Sequence, residues 1–402
     1  HRPVPTLLTA RWVLPIATPP VRDGAVLVGD DGRIAWAGPR ADAPAGDHAV
    51  VAIGDAILLP GLVNAHTHLE LTAMRGLLEH ADFFAWIRTL TRARAEVLTD
   101  DDLLDAARLG VAEGLAAGVT CFGDTTASGA PMRALVALGA RGVVYQEVFG
   151  PAPEQRAASL AGLRDAVARL RALETPLVRV GVSPHAVYSV HEELLVDACG
   201  FAAAHDLPVA MHVSESAAEI AFLREGSGPF ADFLRGRGIA VAPRAHSPVH
   251  LLAALGVTDV VKPLLIHAVR FDASDVALAA HYGCPVAHCP ASNAKLGHGV
   301  APLRALLDAG VVVGLGTDSV ASNNRGDLLD EARTAALVQR AALARADALT
   351  AREALHLATF GGAHALGLGD RVGSLAVGKE ADLCAFRLDP AKLEPAAAYR
   401  FC

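Results

Sequence analysis

His66 and His68 stand one residue apart in "PGLVNAHTHLE", residues 60–70, at the end of the apolar run "AILLPGLV". Side chains at i and i+2 of a strand point the same way, so both imidazoles can reach a single ion. Alone, the pair is equally open to a metal site, a polar loop or buried hydrogen-bonding residues. Later apolar runs end the same way: His185 in "VGVSPHAVYS", His212 and Glu215 in "AMHVSES", His267 in "LLIHAV", His288 in "PVAHCP" and Asp318 in "VGLGTDS". A lone strand-end histidine is usually a hydrogen-bonded structural residue, and an Asp after a Gly-Thr turn often caps the next helix. The joint pattern is far harder to reach by accident. Neutral imidazoles with a carboxylate form a borderline-soft set suited to Zn²⁺ or Fe²⁺.

The elements that must position these groups repeat along the middle of the chain. Each unit is an amphipathic helix, a Gly, a short apolar strand and then polar residues, as in "LLDAARLGVAEGLAAGVTCFGDTT" and "RALVALGARGVVYQEVFG". Eight such strands predict a (β/α)8 barrel over residues 59–365, with a doubly wound open sheet as the alternative. In the barrel reading, the polar residues fall at the strand C-terminal ends, the face where such barrels place their chemistry. Outside the middle, "GAVLVGDDGRIAWAG" reads as a hairpin and "DRVGSLAVGKEADLCAFRLD" has the same β character. Residues 1–58 and 366–402 are therefore expected to pair into one small accessory domain.

Composition narrows the class. Of 402 residues, 52% are hydrophobic but only 5% aromatic, so Ala, Val and Leu must build the core, as suits α/β proteins. The net charge of −8 and the lack of a basic stripe argue against a nucleic-acid partner. No stretch approaches the roughly 18 uninterrupted apolar residues of a membrane-spanning helix. No secretory signal is visible, and the start at His1 rather than Met leaves the native N-terminus open. The six scattered cysteines contain no CxxC pair, which fits a reduced cytoplasm, and Cys284 and Cys289 read as small buried hydrophobes.

The motifs "PGLVNAHTHLE", "MHVSES", "LLIHAVRF", "PVAHCPASNAKLGHGVAPLRALLDAGVVVGLGTDSVASNN" and "GSLAVGKEADL" together resemble the amidohydrolase superfamily over nearly the whole chain. The closest branch holds methylthioadenosine/S-adenosylhomocysteine deaminases, aminofutalosine deaminases and triazine hydrolases. The resemblance implies a metal-bearing barrel plus a small β-sandwich built from both termini. It implies His66, His68, His212 and Asp318 as ligands of one divalent metal, Zn²⁺ ahead of Fe²⁺, with His267 touching the metal or its water. Pro184-His185-Ala186 stands where a bridging lysine would end strand 4, so a mononuclear site is expected.

Such a metal can lower the pKa of its water from about 15.7 towards 7. The resemblance implies that Glu215 shuttles a proton to the ring nitrogen of an aminated heterocycle while Asp318 takes one from the water. A helix-start glutamate facing solvent is the competing reading of Glu215. Two other zinc classes are excluded: His68-Leu69-Glu70 fits half of an H-x-E…P-C-x-x-C signature whose second half is missing, and HExxH is absent.

For the substrate, "SPHAVYSV" resembles the family segment whose His contacts substrate, which implies His185 as a candidate contact, and "DFFAWIRTL" resembles the segment that closes over the site, which implies Trp86 as a stacking or lid residue. Phe84 occupies a position that is commonly acidic in adenosylhomocysteine-type deaminases. "DFFAWI", "SPHAVYSV" and "FLREGSGPF" are more similar to aminofutalosine deaminases, whose nucleoside carries a benzoate. Arg88 and Arg92, at i and i+4, could meet that carboxylate, or could simply form a solvated basic face. The expected function is deamination of a 6-aminopurine nucleoside, aminodeoxyfutalosine first. Guanine, cytosine or chlorotriazine hydrolysis and a catalytically silent homologue are the alternatives. The branch is often dimeric or larger, so a homo-oligomer is an open expectation, with no interface legible here.

Overall fold

The computed structural model describes residues 4–79 and 82–388. The first four strands are β1 (Thr6–Val13), β2 (Val21–Val28), β3 (Ile34–Pro39) and β4 (Ala49–Pro60). With the last strand, β13 (Leu383–Arg387), they form one mixed sheet ordered β13-β4-β1-β2-β3. The Asp-Asp-Gly turn closes the β2–β3 hairpin, and Gly32 supplies the left-handed backbone it needs at φ 75°. β13 lies antiparallel to β4, so both ends of the described chain meet in this sheet over a core of Val13, Val26, Ile34, Leu58 and Leu375. The last stretch of the expected accessory domain, 389–402 with Cys402, lies outside the described residues.

β4 leads through Gly61 into the barrel. Its strands are β5 (Leu62–Thr67), β6 (Val119–Thr126), β7 (Arg141–Val148), β8 (Val178–Pro184), β9 (Ala210–Val213), β10 (Leu264–His267), β11 (Val286–His288) and β12 (Val313–Leu315). They pair in parallel as two runs, β5-β6-β7-β8 and β9-β10-β11-β12. Single bridges Val182↔Val209 and Thr67↔Asp318 join the runs at both edges. The circle is thereby closed in sequence order, which removes the open-sheet alternative, because a doubly wound sheet reverses its strand order at a switch point. Strands buried on both faces explain the unbroken Val/Ile/Leu runs of the sequence.

The ends of the barrel differ. A short helix, Gly362–Ala365, packs on β5 and β12; an added Cβ at Gly362 would lie 2.6 Å from the Val63 carbonyl oxygen. With Tyr145, Ile266 and Leu366 it fills the interior below the strand C-termini. The other end is left for polar side chains. Several helices on the outside begin on side-chain caps, such as the reciprocal Thr99–Asp102 box of Asp100–Ala116. Cys121, Cys199, Cys284 and Cys289 are buried free thiols. No helix among the described residues is long and apolar enough to cross a membrane.

Candidate active site

His66, His212, His267 and Asp318 arrive at one point from β5, β9, β10 and the turn after β12. His66 Nε2 lies 3.3 Å from Asp318 Oδ1, and His68 Nε2 lies 3.5 Å from the same oxygen. His212 Nε2 is 3.3 Å from His68 Nε2. The donor atoms of His66, His68 and Asp318 all lie within 4.8 Å of one another, as do those of His66, His212 and His267. Close approach at β12 depends on Gly316, where an added Cβ would sit 2.8 Å from His66 Cβ. Ser214, His267, Ala268 and Asp318 have positive φ, from 51° to 76°. Such backbone costs on the order of 1–3 kcal/mol per residue and persists where surrounding structure enforces it, commonly at functional sites.

Three of the rings are held from behind. His68 Nδ1 donates to the Thr125 carbonyl at 3.0 Å and His212 Nδ1 to the His185 carbonyl at 3.1 Å. His267 Nδ1 is 3.0 Å from Asn293 Oδ1. Carbonyl acceptors on Nδ1 fix the tautomer and leave the Nε2 lone pairs facing the centre. Asp318 Oδ2 accepts hydroxyls from Ser292 and Ser322 at 2.6 and 3.0 Å, and Oδ1 accepts the Ser319 N–H at 2.7 Å. His66 Nε2 is buried without a hydrogen-bond partner. Several acceptors converge with no donor between them, an arrangement that a cation satisfies. Burial pushes the His66 pKa down to about 4 and that of His212 well below the usual imidazole range, which keeps both in the neutral, ligating form. Burial alone would raise the Asp318 carboxyl, but the His66 contact and the surrounding imidazoles hold it well below the usual range. The residues fit one divalent ion.

Glu215 is 6% exposed, so the solvent-facing reading of it fails. Its Oε1 lies 3.6 Å from His267 Nε2 and 3.3 Å from His298 Nε2. Burial would raise its pKa, but these two imidazoles pull it below the ordinary value. His298 was not singled out from the sequence, although it lies within the quoted "KLGHGV" segment. The Phe83 ring packs edge-on against it, with centroids 4.5 Å apart.

A cavity of about 960 Å³ opens above this cluster, lined by His185, Glu215, Trp86, Arg88, Tyr188 and Phe230 among others. The His185 ring lies 4.8 Å from that of His212, with Nδ1 2.7 Å from Ser189 Oγ. Trp86 is buried and stacks on Phe83 at 6.3 Å. The Arg88 guanidinium lies over Phe84 and Phe233, 5.6 Å from each centroid. Arg92, 76% exposed, pairs with Glu96 at 2.8 Å, so the two arginines differ in what their charges meet. His288 ends β11 but stays apart from the ligand groups; burial pushes it to about 3, and neither ring nitrogen has a partner among the described residues. Glu147, at the end of β7, was also missed: its donor atom lies within 4.8 Å of those of His185 and His212, and burial pushes its pKa up to about 7. The signal was a lone carboxylate in "VVYQEVFG", a strand end without the histidine that marked the others.

The amidohydrolase family model matches residues 57–401. The chain belongs to the amidohydrolase family. This amidohydrolase is 36% identical to a 5-methylthioadenosine/S-adenosylhomocysteine deaminase of Halobacterium salinarum, over 93% of this chain and 82% of that one. It is similar to a crystal structure of an adenosine deaminase from Xanthomonas campestris with bound zinc, at 33% identity and TM-score 0.84, covering 98% of this chain and 87% of the other. It is also similar to the atrazine chlorohydrolase TrzN of Arthrobacter aurescens TC1 complexed with zinc, at 28% identity and TM-score 0.79, over 96% and 87% of the two chains. Its likeness to the Helicobacter pylori aminofutalosine deaminase, at 22% identity, TM-score 0.84 and coverage of 96% and 92%, concerns the fold alone.

Proposed function

We propose that this amidohydrolase is a zinc-dependent hydrolytic deaminase of a 6-aminopurine nucleoside derivative, with aminodeoxyfutalosine the first candidate substrate, then methylthioadenosine and S-adenosylhomocysteine. The observation that carries the reading is the buried Glu215 carboxylate, held between His267 and His298 at the edge of the ligand cluster. Deaminase-named relatives put the chemistry on carbon–nitrogen bonds, and the zinc-bearing neighbours favour zinc. The buried free thiols suit a reducing compartment such as the cytoplasm.

His66, His68, His212 and Asp318 would hold the ion, which when bound supplies the Lewis acidity that acidifies a water. Asp318, its second oxygen engaged by two serines, presents the first as acceptor of the proton that the attacking water gives up. His267, fixed through Asn293, aims Nε2 into the cavity and orients that water. Glu215, ionised at rest, takes up one proton of the attacking water and passes it to the ring nitrogen as oxygen bonds to the adjacent carbon. The C–N bond then breaks as the amino group takes the water's other proton back from Asp318 and leaves as ammonia. Trp86 and His185 line the space for the base and sugar.

The test is ammonia release from the zinc-loaded protein with aminodeoxyfutalosine, methylthioadenosine, S-adenosylhomocysteine, adenosine, guanine, cytosine and a chlorotriazine. Activity only on a chlorotriazine, the second reading suggested by the TrzN likeness, would replace the deaminase proposal. A protein that binds no zinc or iron and turns nothing over would be a silent homologue.

A further inference from the structure

Asp318 bends the chain at φ 56°, in left-handed backbone that the surrounding structure must enforce. Two short helices surround it, Pro290–Lys295 after β11 and Val320–Asn323 after Asp318 itself. The first supplies Ser292, whose hydroxyl donates to Asp318 Oδ2 at 2.6 Å, and Asn293, whose Oδ1 faces His267 Nδ1 at 3.0 Å. The second supplies Ser322, which donates to the same Asp318 oxygen at 3.0 Å. It also supplies Asn323, whose amide donates back to the Thr317 carbonyl at 2.8 Å. Thr317 is tied in turn to β5, its N–H donating to Asn64 Oδ1 at 3.0 Å.

Neither helix is long enough to be stable alone. One side chain grips both. Glu331, on the outer helix Leu328–Leu343, accepts the Ala291 N–H on Oε1 and the Asn323 amide N–H on Oε2, each at 2.8 Å. Ala291 precedes Ser292 and Asn293, and Asn323 follows Ser322, so the carboxylate holds the backbone beside the residues that hold Asp318 and His267. Glu331 is 1% exposed and does not line the cavity. Burying a carboxyl is costly unless its oxygens are paired, and packing does not call for one here, since the same helix buries Leu328, Ala332 and Ala335.

We propose that Glu331 is a positioning residue of the hydrolytic centre, anchoring the two short helices as one unit so that Asp318 and His267 are aimed together. Asn293 acts on one of these groups; Glu331 acts on both, from outside the cavity, through Ala291 and Asn323. The proposal rests on the reading of Asp318 as ligand and proton acceptor with His267 beside it, and is independent of which ring is the substrate.

The probe is Co²⁺ alone, loaded into the full chain in place of zinc, because its visible absorption follows ligand geometry. Glu331→Ala takes up the ion but shifts that absorption. Its kcat for ammonia release from the substrate that wild type prefers falls about tenfold, with KM changed less than about twofold. Glu331→Gln, which keeps the volume and one acceptor oxygen, recovers part of both. Asp275→Ala is the comparison. Asp275 is 0% exposed and accepts from Ser247, from His250 at 3.1 Å and from the Asp272 N–H at 3.0 Å, partners that do not hold Asp318 or His267. This variant lowers the melting temperature while its cobalt absorption and kcat stay as in wild type. Wild-type absorption and kcat in both Glu331 variants, or equal shifts in Asp275→Ala, overturn the brace and leave the ligand reading standing. A rise in KM with kcat unchanged also overturns it, since the substrate site rather than the centre would have moved. A wild-type chain that takes up no cobalt overturns the ligand reading, and the brace with it.

Discussion

The inner and outer walls of the same cavity are built on different principles. Inside, the ligand groups come from strand ends or the turns after them, and most are gripped from neighbouring elements: His68 and His212 by backbone carbonyls, His267 by the Asn293 amide oxygen and Asp318 by serine hydroxyls. Outside, the residues stand on helices, range from buried Trp86 and Phe230 to exposed Arg88 and Arg92, and are tied by ring contacts and by ion pairs such as Arg94–Glu70. The inner wall can hold donor atoms to the fraction of an ångström that metal ligation demands, because closed strand pairing leaves it no freedom. The outer wall can change its side chains without disturbing that pairing. Chemistry thus sits on the rigid part and selectivity on the adaptable one.

The largest effect expected is at the inner wall. His212→Ala removes a ligand and leaves an unsatisfied cluster; zinc content by elemental analysis falls to background and ammonia release with it. Full metal content in this variant would break the ligand assignment. Next is Glu215→Gln, for which zinc is retained and kcat drops on the order of 10²–10⁴-fold, the scale of a lost general acid–base. Unimpaired turnover would refute the proton shuttle. Asn293→Ala, which frees the His267 ring, is expected to cost about 10–100-fold in activity or metal affinity. His298→Ala should lower kcat about tenfold, roughly one lost charge-assisted hydrogen bond, with KM little changed and partial rescue by His298→Gln.

Acid sharpens the same contrast. His66 stays neutral until the pH nears about 4, whereas His68, where burial is outweighed by Asp318 and neighbouring carboxylates, is held above the usual imidazole range, so acid should reach His68 first and weaken zinc binding before His66 protonates. Zinc content measured from pH 7 to 4 checks this; a loss confined to pH below 5 would overturn it. In the metal-free protein the His66 shift makes stability fall as the pH drops below 6.5, because the unfolded chain takes up a proton that folded His66 refuses until about 4. The smallest effect belongs to the outer wall: Arg94→Ala, which unties the helix Phe83–Glu96 from Glu70, should raise KM a few-fold while zinc content and kcat remain nearly intact. A loss of metal there would mean that the two walls are not separable.

Much of the inner wall was legible because strand geometry is local. The run "AILLPGLVNAHTH" marks a strand, and alternation within it puts His66 and His68 on one face without reference to any other segment. The same reasoning placed His212, His267 and Asp318 at successive strand ends, and the structure brings their side chains together. It failed where the telling contact joins distant segments. His298 carries no strand-end signature, and only the path of the chain after β11 delivers it to Glu215, more than 80 residues earlier. Glu147 was passed over because a carboxylate at a strand end is unremarkable until its neighbours are known. Arg88 and Arg92 looked equivalent on a helix, since i and i+4 spacing says nothing of Glu96 taking one charge and Phe233 facing the other.

By itself the sequence determined the strand count, the direction of each polar side chain from its own strand, and the ligand chemistry of imidazoles with a carboxylate. These depend on periodicity and residue type, properties a segment carries alone. Tertiary structure decided the closure through Val182↔Val209 and Thr67↔Asp318, which nitrogen of His68 and His212 faces inward, and which arginine meets a carboxylate and which a ring. Each of those is a choice of partner across the chain, and partners are selected only when the barrel closes and burial makes an unpaired polar group costly.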